Sequence, residues 1–293
     1  MKVAANGIRI EVEDTGPADG GRLPVLLVMG LGMQLVAWPP AFVQALVARG
    51  HRVVRFDNRD IGLSSAMDHL GVPNLLLETF KLRLGMPVRA PYTVLDMAQD
   101  TLGVLDALGI PRAHVVGVSM GGMIAQRLAL LAPDRVATLT SIMSSSGARF
   151  LPGPRPQVLS ALMSRPRGRS EEAIVDHVVA LFRIIGSPGF PMDEAALREG
   201  IRAAVRRSYR PAGTARQLAA VAADATRAGD LARIGCPTLV MHGTSDPLVP
   251  FACGQDTARR IPGARLVAVP GMGHDLPPGV VERLLEHLLP HLA

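Results

Sequence analysis

Three residues of this 293-residue chain have the types and settings that nucleophilic acyl transfer requires. Ser119 lies in HVVGVSMGG (114–122), with Gly117 before it and Gly121 and Gly122 behind it. A serine hydroxyl attacks a carbonyl carbon only when a base takes its proton, and that base needs a partner to orient it. Downstream, HGTSDPLVP (242–250) supplies Asp246 and PGMGHDLP (270–277) supplies His274. Each of the three follows an apolar run of strand character, so one sheet edge could gather them.

The setting of Ser119 is more specific than the pattern G-x-S-x-G alone. A buried strand precedes it and an apolar helix follows at once, which is the arrangement of a nucleophile elbow. Such a turn strains the serine backbone, and the residues two before and two after must be small where strand and helix pass. Gly117 and Gly121 meet that demand. The developing oxyanion needs donors. One is expected from the backbone N–H of Met120, the other from Leu31, flanked by Gly30 and Gly32 at the end of LPVLLVMG (23–30).

Other groups compete for these roles. His242 ends its own strand and reads as a structural or supporting group, while Asp275 reads as a solvated or loop-capping carboxylate. The strand after the nucleophile helix ends in SIMSSSGAR (141–149), which offers no acid. In FDNRDIGLSS (56–65), Asp57 and Arg59 are expected to tie that loop to the oxyanion segment, and Gly62 to permit its turn. Gly30, Met33, Trp38, Met143 and Met272 sit near strand ends or in these loops and are the substrate-pocket candidates. Methionine fills cores equally well.

The elements that must carry these residues follow from periodicity. VAANGIRIEVED alternates around Asn-Gly, a hairpin signal. LPVLLVMG, HRVVRFD (51–57), AHVVGVS (113–119), VATLTSIMSS (136–145), PTLVMHG (237–243) and ARLVAVPG (264–271) read as strands. Helical runs lie between them: 41–50, 93–110, MGGMIAQRLALLAP (120–133), FACGQDTARRI (251–261) and GVVERLLEHLL (279–289). Strands alternating with helices predict an α/β chain with a mostly parallel, doubly wound sheet, whose ligands bind beyond the carboxyl ends of its strands. Residues 148–221 hold helical runs and no convincing strand. They are expected to form a helical cap inserted before the last two core strands, with 1–147 and 222–293 as the core. A smaller insert near 65–91 contains NLLLETFKLRL (74–84), more apolar than a connecting loop requires.

Composition excludes other classes. The formal charge of +6 and isoelectric point near 10.3 invite a nucleic-acid reading. Lysine occurs only at Lys2 and Lys81, however, and the scattered arginines accompany just 3% aromatic residues, which leaves few stacking platforms. Cys236 and Cys253 make neither a disulfide framework nor a metal-ligand spacing. There is no signal-peptide core and no apolar stretch of membrane-spanning length, so a cytoplasmic protein is expected. Oligomeric state leaves no mark in the sequence.

GVSMGG, DNRDIGLS, HGTSDPLVP and GMGHDLP, in that order, make the chain resemble the α/β-hydrolase superfamily over essentially its whole length. Within it, residues 28–65 look most like esterases similar to aclacinomycin methylesterase. The resemblance implies the α/β-hydrolase fold and carboxylic ester hydrolysis through an acyl-enzyme, without metal or organic cofactor. It makes Ser119 the nucleophile, His274 the base and then the acid, and Asp246 the orienting acid. It also implies that the cap and the smaller insert line the pocket for a small-molecule ester. Met29-Gly30 stands where many relatives have His-Gly, which bears on how the oxyanion loop is held. Branches with aspartate at the position of Ser119, the haloalkane dehalogenases and epoxide hydrolases, are excluded. Cofactor-free haloperoxidase or perhydrolase chemistry, C–C bond hydrolysis and acyl transfer on the same three residues stay open, as does a hydrolase-like small-molecule receptor.

Overall fold

The structure, a computed structural model, describes residues 1–16, 21–83 and 86–293. Strands β1 (Lys2–Ala5) and β2 (Ile8–Asp14) pair antiparallel around Asn6-Gly7, both at positive φ (+47° and +77°). Two consecutive positive φ values match the right-handed twist of a two-residue hairpin, which is why Asn-Gly is favoured there. Val3, Ala5, Ile10 and Val12 are buried, and the alternating residues face out.

The remaining strands are β3 (Val25–Val28), β4 (Val53–Phe56), β5 (Ala113–Val118), β6 (Val136–Ile142), β7 (Thr238–Gly243) and β8 (Arg265–Val269). The sheet order is β1-β2-β4-β3-β5-β6-β7-β8, antiparallel across β1, β2 and β4 and parallel from β4 to β8. β3, β5, β6 and β7 are buried at every residue, because helices cover both faces.

The helices are α1 (Pro40–Ala48), α2 (Leu75–Arg83), α3 (Val94–Ala107), α4 (Met120–Leu131), α5 (Pro156–Met163), α6 (Glu171–Ile185), α7 (Glu194–Arg207), α8 (Pro211–Ala223), α9 (Arg227–Asp230), α10 (Phe251–Arg260) and α11 (Pro278–His291). α3 begins with a capping box, in which the Thr93 hydroxyl accepts from Asp96 N and the Asp96 carboxylate accepts from Thr93 N. The period-2 geometry of β3 divides the core. Leu26 and Val28 pack with Met97 and Leu105 of α3 and Ile124 and Leu128 of α4. Val25 and Leu27 pack with Phe42 and Leu46 of α1 and Leu284 and Leu288 of α11.

α5 to α9 all lie between β6 and β7, with no strand among the described residues of that stretch. α6 and α7 pair through Val175, Val179 and Ile201 and, outside, through an ion-pair ladder that includes Arg206–Glu171 (2.8 Å) and Arg202–Glu172 (2.9 Å). These carboxylates are half or fully exposed, so the ladder adds little beyond helix register.

In the smaller insert, residues 84 and 85 lie outside the described residues. The polarity of α2 is the reverse of an ordinary surface helix. Glu78 is buried and accepts from Lys81 Nζ (2.6 Å) and Arg89 N (2.9 Å), whereas Leu76, Leu77 and Phe80 face outward. No helix among the described residues is long and apolar enough to cross a membrane.

Candidate active site

Ser119 stands at the junction of β5 and α4 with φ +55° and ψ −120°. A non-glycine residue rarely takes positive φ, and here both sides enforce it. Ser119 N donates to Ile142 O (2.9 Å) of β6, and Ser119 O accepts from Gly122 N (2.9 Å) and Ser144 Oγ (2.7 Å). The glycines are required by contact. A Cβ on Gly117 would lie 2.2 Å from Gly121 O, and one on Gly122 would lie 2.6 Å from Ser144 Cβ.

His274 and Asp246 reach the same point from the ends of β8 and β7. His274 Nε2 lies 3.0 Å from Ser119 Oγ, and His274 Nδ1 lies 2.7 Å from Asp246 Oδ2. The other carboxylate oxygen, Oδ1, accepts from Leu248 N (2.9 Å) and Val249 N (2.8 Å), which fixes the carboxylate plane. A carboxylate can only accept, so Nδ1 of a neutral His274 carries the proton and Nε2 turns its lone pair towards Ser119. The chain Ser119–His274–Asp246 is therefore in line for proton transfer away from Oγ. Asp246 and His274 are buried, and Ser119 is half-buried.

His242 lies 3.6 Å from Asp246 Oδ2 but spends its Nε2–H on Val249 O (2.7 Å). Burial holds its pKa below the ordinary histidine value, so it stays neutral. Its Nδ1 faces Gly254, where a Cβ would come within 2.5 Å. It packs behind the acid and does not replace His274.

Met120 directly follows the nucleophile, and Leu31 directly follows Gly30. Gly30 lies against Ser119, with a Cβ there 3.3 Å from Ser119 Cβ. Among the described residues, no main-chain acceptor takes the N–H of Leu31 or of Met120. Gly32 N, by contrast, is taken by Gln217 Oε1 (2.9 Å).

The loop after β4 anchors the one after β3, though not by the pair of side chains expected. Asp57 does reach across, accepting from Leu35 N (2.8 Å), Leu63 N (2.8 Å) and Arg207 Nη1 (2.6 Å). Gly62 sits over it at φ +57°, where a Cβ would lie 2.1 Å from Asp57 Oδ2. The Arg59 side chain instead turns away to Asp100 (2.5 and 2.6 Å) and lies over Tyr92. Its guanidinium can meet a carboxylate bidentately on α3, and the oxyanion segment has no carboxylate to offer. The tie on that side is Asn58, whose Nδ2 donates to Met29 O (2.9 Å).

Asp275 is buried, not solvated. Ser187, in the α6–α7 connection, donates to its carboxylate, and Ser187 Oγ accepts from Gly273 N (2.8 Å). Burial pushes the Asp275 carboxyl above the usual range. His274 N donates to Ile185 O (2.7 Å), and Gly189 N to Gly271 O (2.9 Å). The helical stretch between β6 and β7 therefore holds the loop that carries His274.

Of the pocket candidates, Gly30 adjoins Ser119 and Met33 is half-buried in the same loop. Trp38 is fully buried and packs on Phe42 (5.1 Å between ring centroids), in the core cluster that also holds Met143 and Met272. Asn58 lay in a loop singled out by sequence. Gln34, Ser187 and Gln217, in contrast, carry no local signal, because their partners are distant in the chain. Both cysteines are free. Among the described residues, no group of three or more His, Cys, Asp or Glu gathers as a metal site would.

Comparison with known proteins agrees with this architecture. The family described as the alpha/beta hydrolase fold matches residues 24–277. The chain is 33% identical over 302 residues to rhodomycin D methylesterase DauP of Streptomyces sp. strain C5, covering 94% of this chain and 93% of that protein. It is 32% identical over 244 residues to the poly(3-hydroxyalkanoate) depolymerase of Ectopseudomonas oleovorans, covering 83% and 75%. Among solved structures, the enol-lactonase from Burkholderia xenovorans LB400 superposes with a TM-score of 0.73 at 24% identity, covering 100% of this chain and 99% of that one.

Proposed function

This chain belongs to the alpha/beta hydrolase fold family, and on that premise we propose that it is a serine hydrolase that cleaves carboxylic esters through an acyl-enzyme. The observation that carries the reading is the unbroken hydrogen-bonded line from Ser119 Oγ through His274 to Asp246. Resemblance in sequence to an esterase over nearly the whole chain supports the substrate class.

In the proposed reaction, Ser119 Oγ attacks the ester carbonyl carbon as its proton passes to His274 Nε2. The imidazolium so formed is paired with Asp246, and the carbonyl oxygen, now an oxyanion, takes the N–H groups of Leu31 and Met120. The tetrahedral intermediate collapses, the C–O bond to the alcohol breaks, and His274 returns the proton to the departing oxygen. Water then attacks the acyl-serine, giving a proton to His274; the acyl C–Oγ bond breaks, the acid leaves, and His274 returns the proton to Ser119 Oγ. Every proton is carried by a group on the chain, and the reaction consumes only water.

Residues 148–221 act in this proposal as a cap over the site. Contacts from that stretch to both active-site loops, Gln217 with Gly32 and Ser187 with Asp275, support the assignment. Gly30 and Met33 are the proposed pocket residues beside the nucleophile.

The test is hydrolysis of p-nitrophenyl esters, from acetate to long-chain, by wild type and Ser119→Ala side by side. Turnover should peak at one chain length and fall on the order of 10⁴-fold or more in the variant. Ester hydrolysis at the wild-type rate by Ser119→Ala removes the serine mechanism. A folded wild type inert towards the whole series shifts weight to C–C bond hydrolysis or perhydrolysis on the same residues.

A further inference from the structure

We propose that Gln217, on α8, is a positioning residue of the oxyanion hole: it fixes the peptide that follows the Leu31 N–H and holds that donor through the Leu31 Cα the two share. The inference rests on the reading that Leu31 N is an oxyanion donor. Gln217 is fully buried, and its amide makes a bond at each end. Oε1 accepts from Gly32 N (2.9 Å), and Nε2 donates to Arg59 O (3.0 Å). A single side chain from the helical stretch thereby joins the loop after β3 to the loop after β4.

The turn it holds needs holding. Residues 30–33 form a β-turn closed by Met33 N to Gly30 O (3.3 Å), with Gly32 at φ +69° in its third position. Positive φ at that position belongs to the type II form, and type I differs chiefly by reversal of the central peptide. That peptide carries Leu31 O and Gly32 N, and the Leu31 N–H belongs to the peptide before it, joined to it at the Leu31 Cα. Gly30 and Gly32 place no Cβ in the way of reversal, so local sterics leave both forms open.

Gln217 closes one of them. If the central peptide reversed, the Leu31 carbonyl would face Oε1, oxygen against oxygen. The amide could answer only by flipping, and the flip would set Oε1 against Arg59 O. Because one neighbour is an obligatory donor and the other an obligatory acceptor, the amide has a single satisfied orientation, and so does the turn. Thr214, one helical turn earlier on α8, packs where a Gly32 Cβ would sit (3.0 Å) and closes the remaining space. The loop is held at Met29 O by Asn58 and at Gly32 N by Gln217.

Gln217→Met keeps the volume and removes both bonds, while Gln217→Glu keeps an acceptor for Gly32 N. Steady-state kinetics on the best p-nitrophenyl ester should show kcat about 10- to 100-fold lower in Gln217→Met with KM within about two-fold, and partial recovery in Gln217→Glu. Affinity for a trifluoromethyl ketone of the same acyl chain, whose hemiketal oxygen occupies the hole, should fall in parallel with kcat. Amide exchange in the wild type reads the lock without mutation: Gly32 N–H should be protected, and Leu31 N–H should become protected only when the ketone binds. Folded Gln217→Met with wild-type kcat and ketone affinity overturns the inference, as does fast exchange at Gly32 in the native protein. Ser119→Ala in the same assay separates the two failures. If it stays active, the serine reading falls; if it is dead while Gln217→Met is normal, only the role of Gln217 falls.

Discussion

A Cβ on Gly121 would lie 2.0 Å from the carbonyl oxygen of Val28. The first turn of the helix behind the nucleophile thus rests directly on the end of β3, the strand that leads into the oxyanion loop. The two proposed oxyanion donors, Met120 and Leu31, lie next to the segments that this backbone contact joins.

Gly121→Ala should therefore be far more damaging than an ordinary glycine replacement. Backbone cannot yield as a side-chain tip can, so the expected cost is about 3 kcal/mol or more, with loss of activity. Gly200, midway along α7, is the control, since a Cβ there meets nothing within 4 Å. Gly200→Ala should raise stability by roughly 0.5–1 kcal/mol through helix propensity and a less free unfolded chain. Thermal melting of the two variants beside wild type reads both signs.

Asp246→Asn should keep the fold and lose turnover. An asparagine amide facing His274 Nδ1 favours the wrong tautomer, placing the proton on Nε2 where the base must be free. A fall in kcat on the order of 10⁴-fold is expected from the same change in a serine protease. Unaltered kcat would show that Asp246 is not the orienting acid.

Arg216, on α8, is almost wholly buried against Asp60 through bonds of 2.6 and 2.8 Å, and Asp60 also takes Tyr92 Oη (3.0 Å) and Met67 N (2.9 Å). Arg216→Met strands the carboxylate in the interior and should cost about 3–5 kcal/mol in urea unfolding. Adding Asp60→Asn removes the stranded charge, so the double variant should be more stable than Arg216→Met alone. Equal stability of the single and double variants would mean that water reaches Asp60.

Stability should also decline between pH 6.5 and 4 in a way assignable to His114. Its ring is buried beside Thr138 Oγ1 (2.9 Å), with His51 edge-on at 5.7 Å and His291 and Arg112 nearby. Burial first, then these basic neighbours, brings its pKa down to about 4. In that window the unfolded chain binds a proton that the folded chain refuses, so stability rises with pH and is lost on acidification. Urea unfolding of His114→Gln should show a shallower decline there than wild type. Parallel curves would place the acid sensitivity elsewhere.

Much of the core was legible because its signals are local. Asn6-Gly7 specifies a tight hairpin by backbone preference alone, and the runs at 25–28 and 113–118 are apolar at adjacent positions because both faces are covered. The Gly117–Ser119–Gly121 spacing records a backbone crossing that any sequence making the turn must respect. Arg59 shows the limit of such reading. Its loop stands out in the sequence, but a long side chain can swing to either neighbour, and the carboxylate of Asp100 decides.

The parallel sheet, the order of the strand-end loops and the three residues proposed for catalysis are readable from the chain alone, because turns and periodicity act over a few residues. What holds those loops depends on packing between distant segments. Asn58 on Met29, Ser187 on Asp275 and Gln217 on Gly32 are single hydrogen bonds between segments far apart in the chain. A buried polar side chain must find a partner, but nothing in its immediate sequence says which one, so the choice appears only when the helices between β6 and β7 are laid on the sheet. The same is true of Trp38, which local sequence leaves equally suited to a pocket or a core and which packing puts against Phe42.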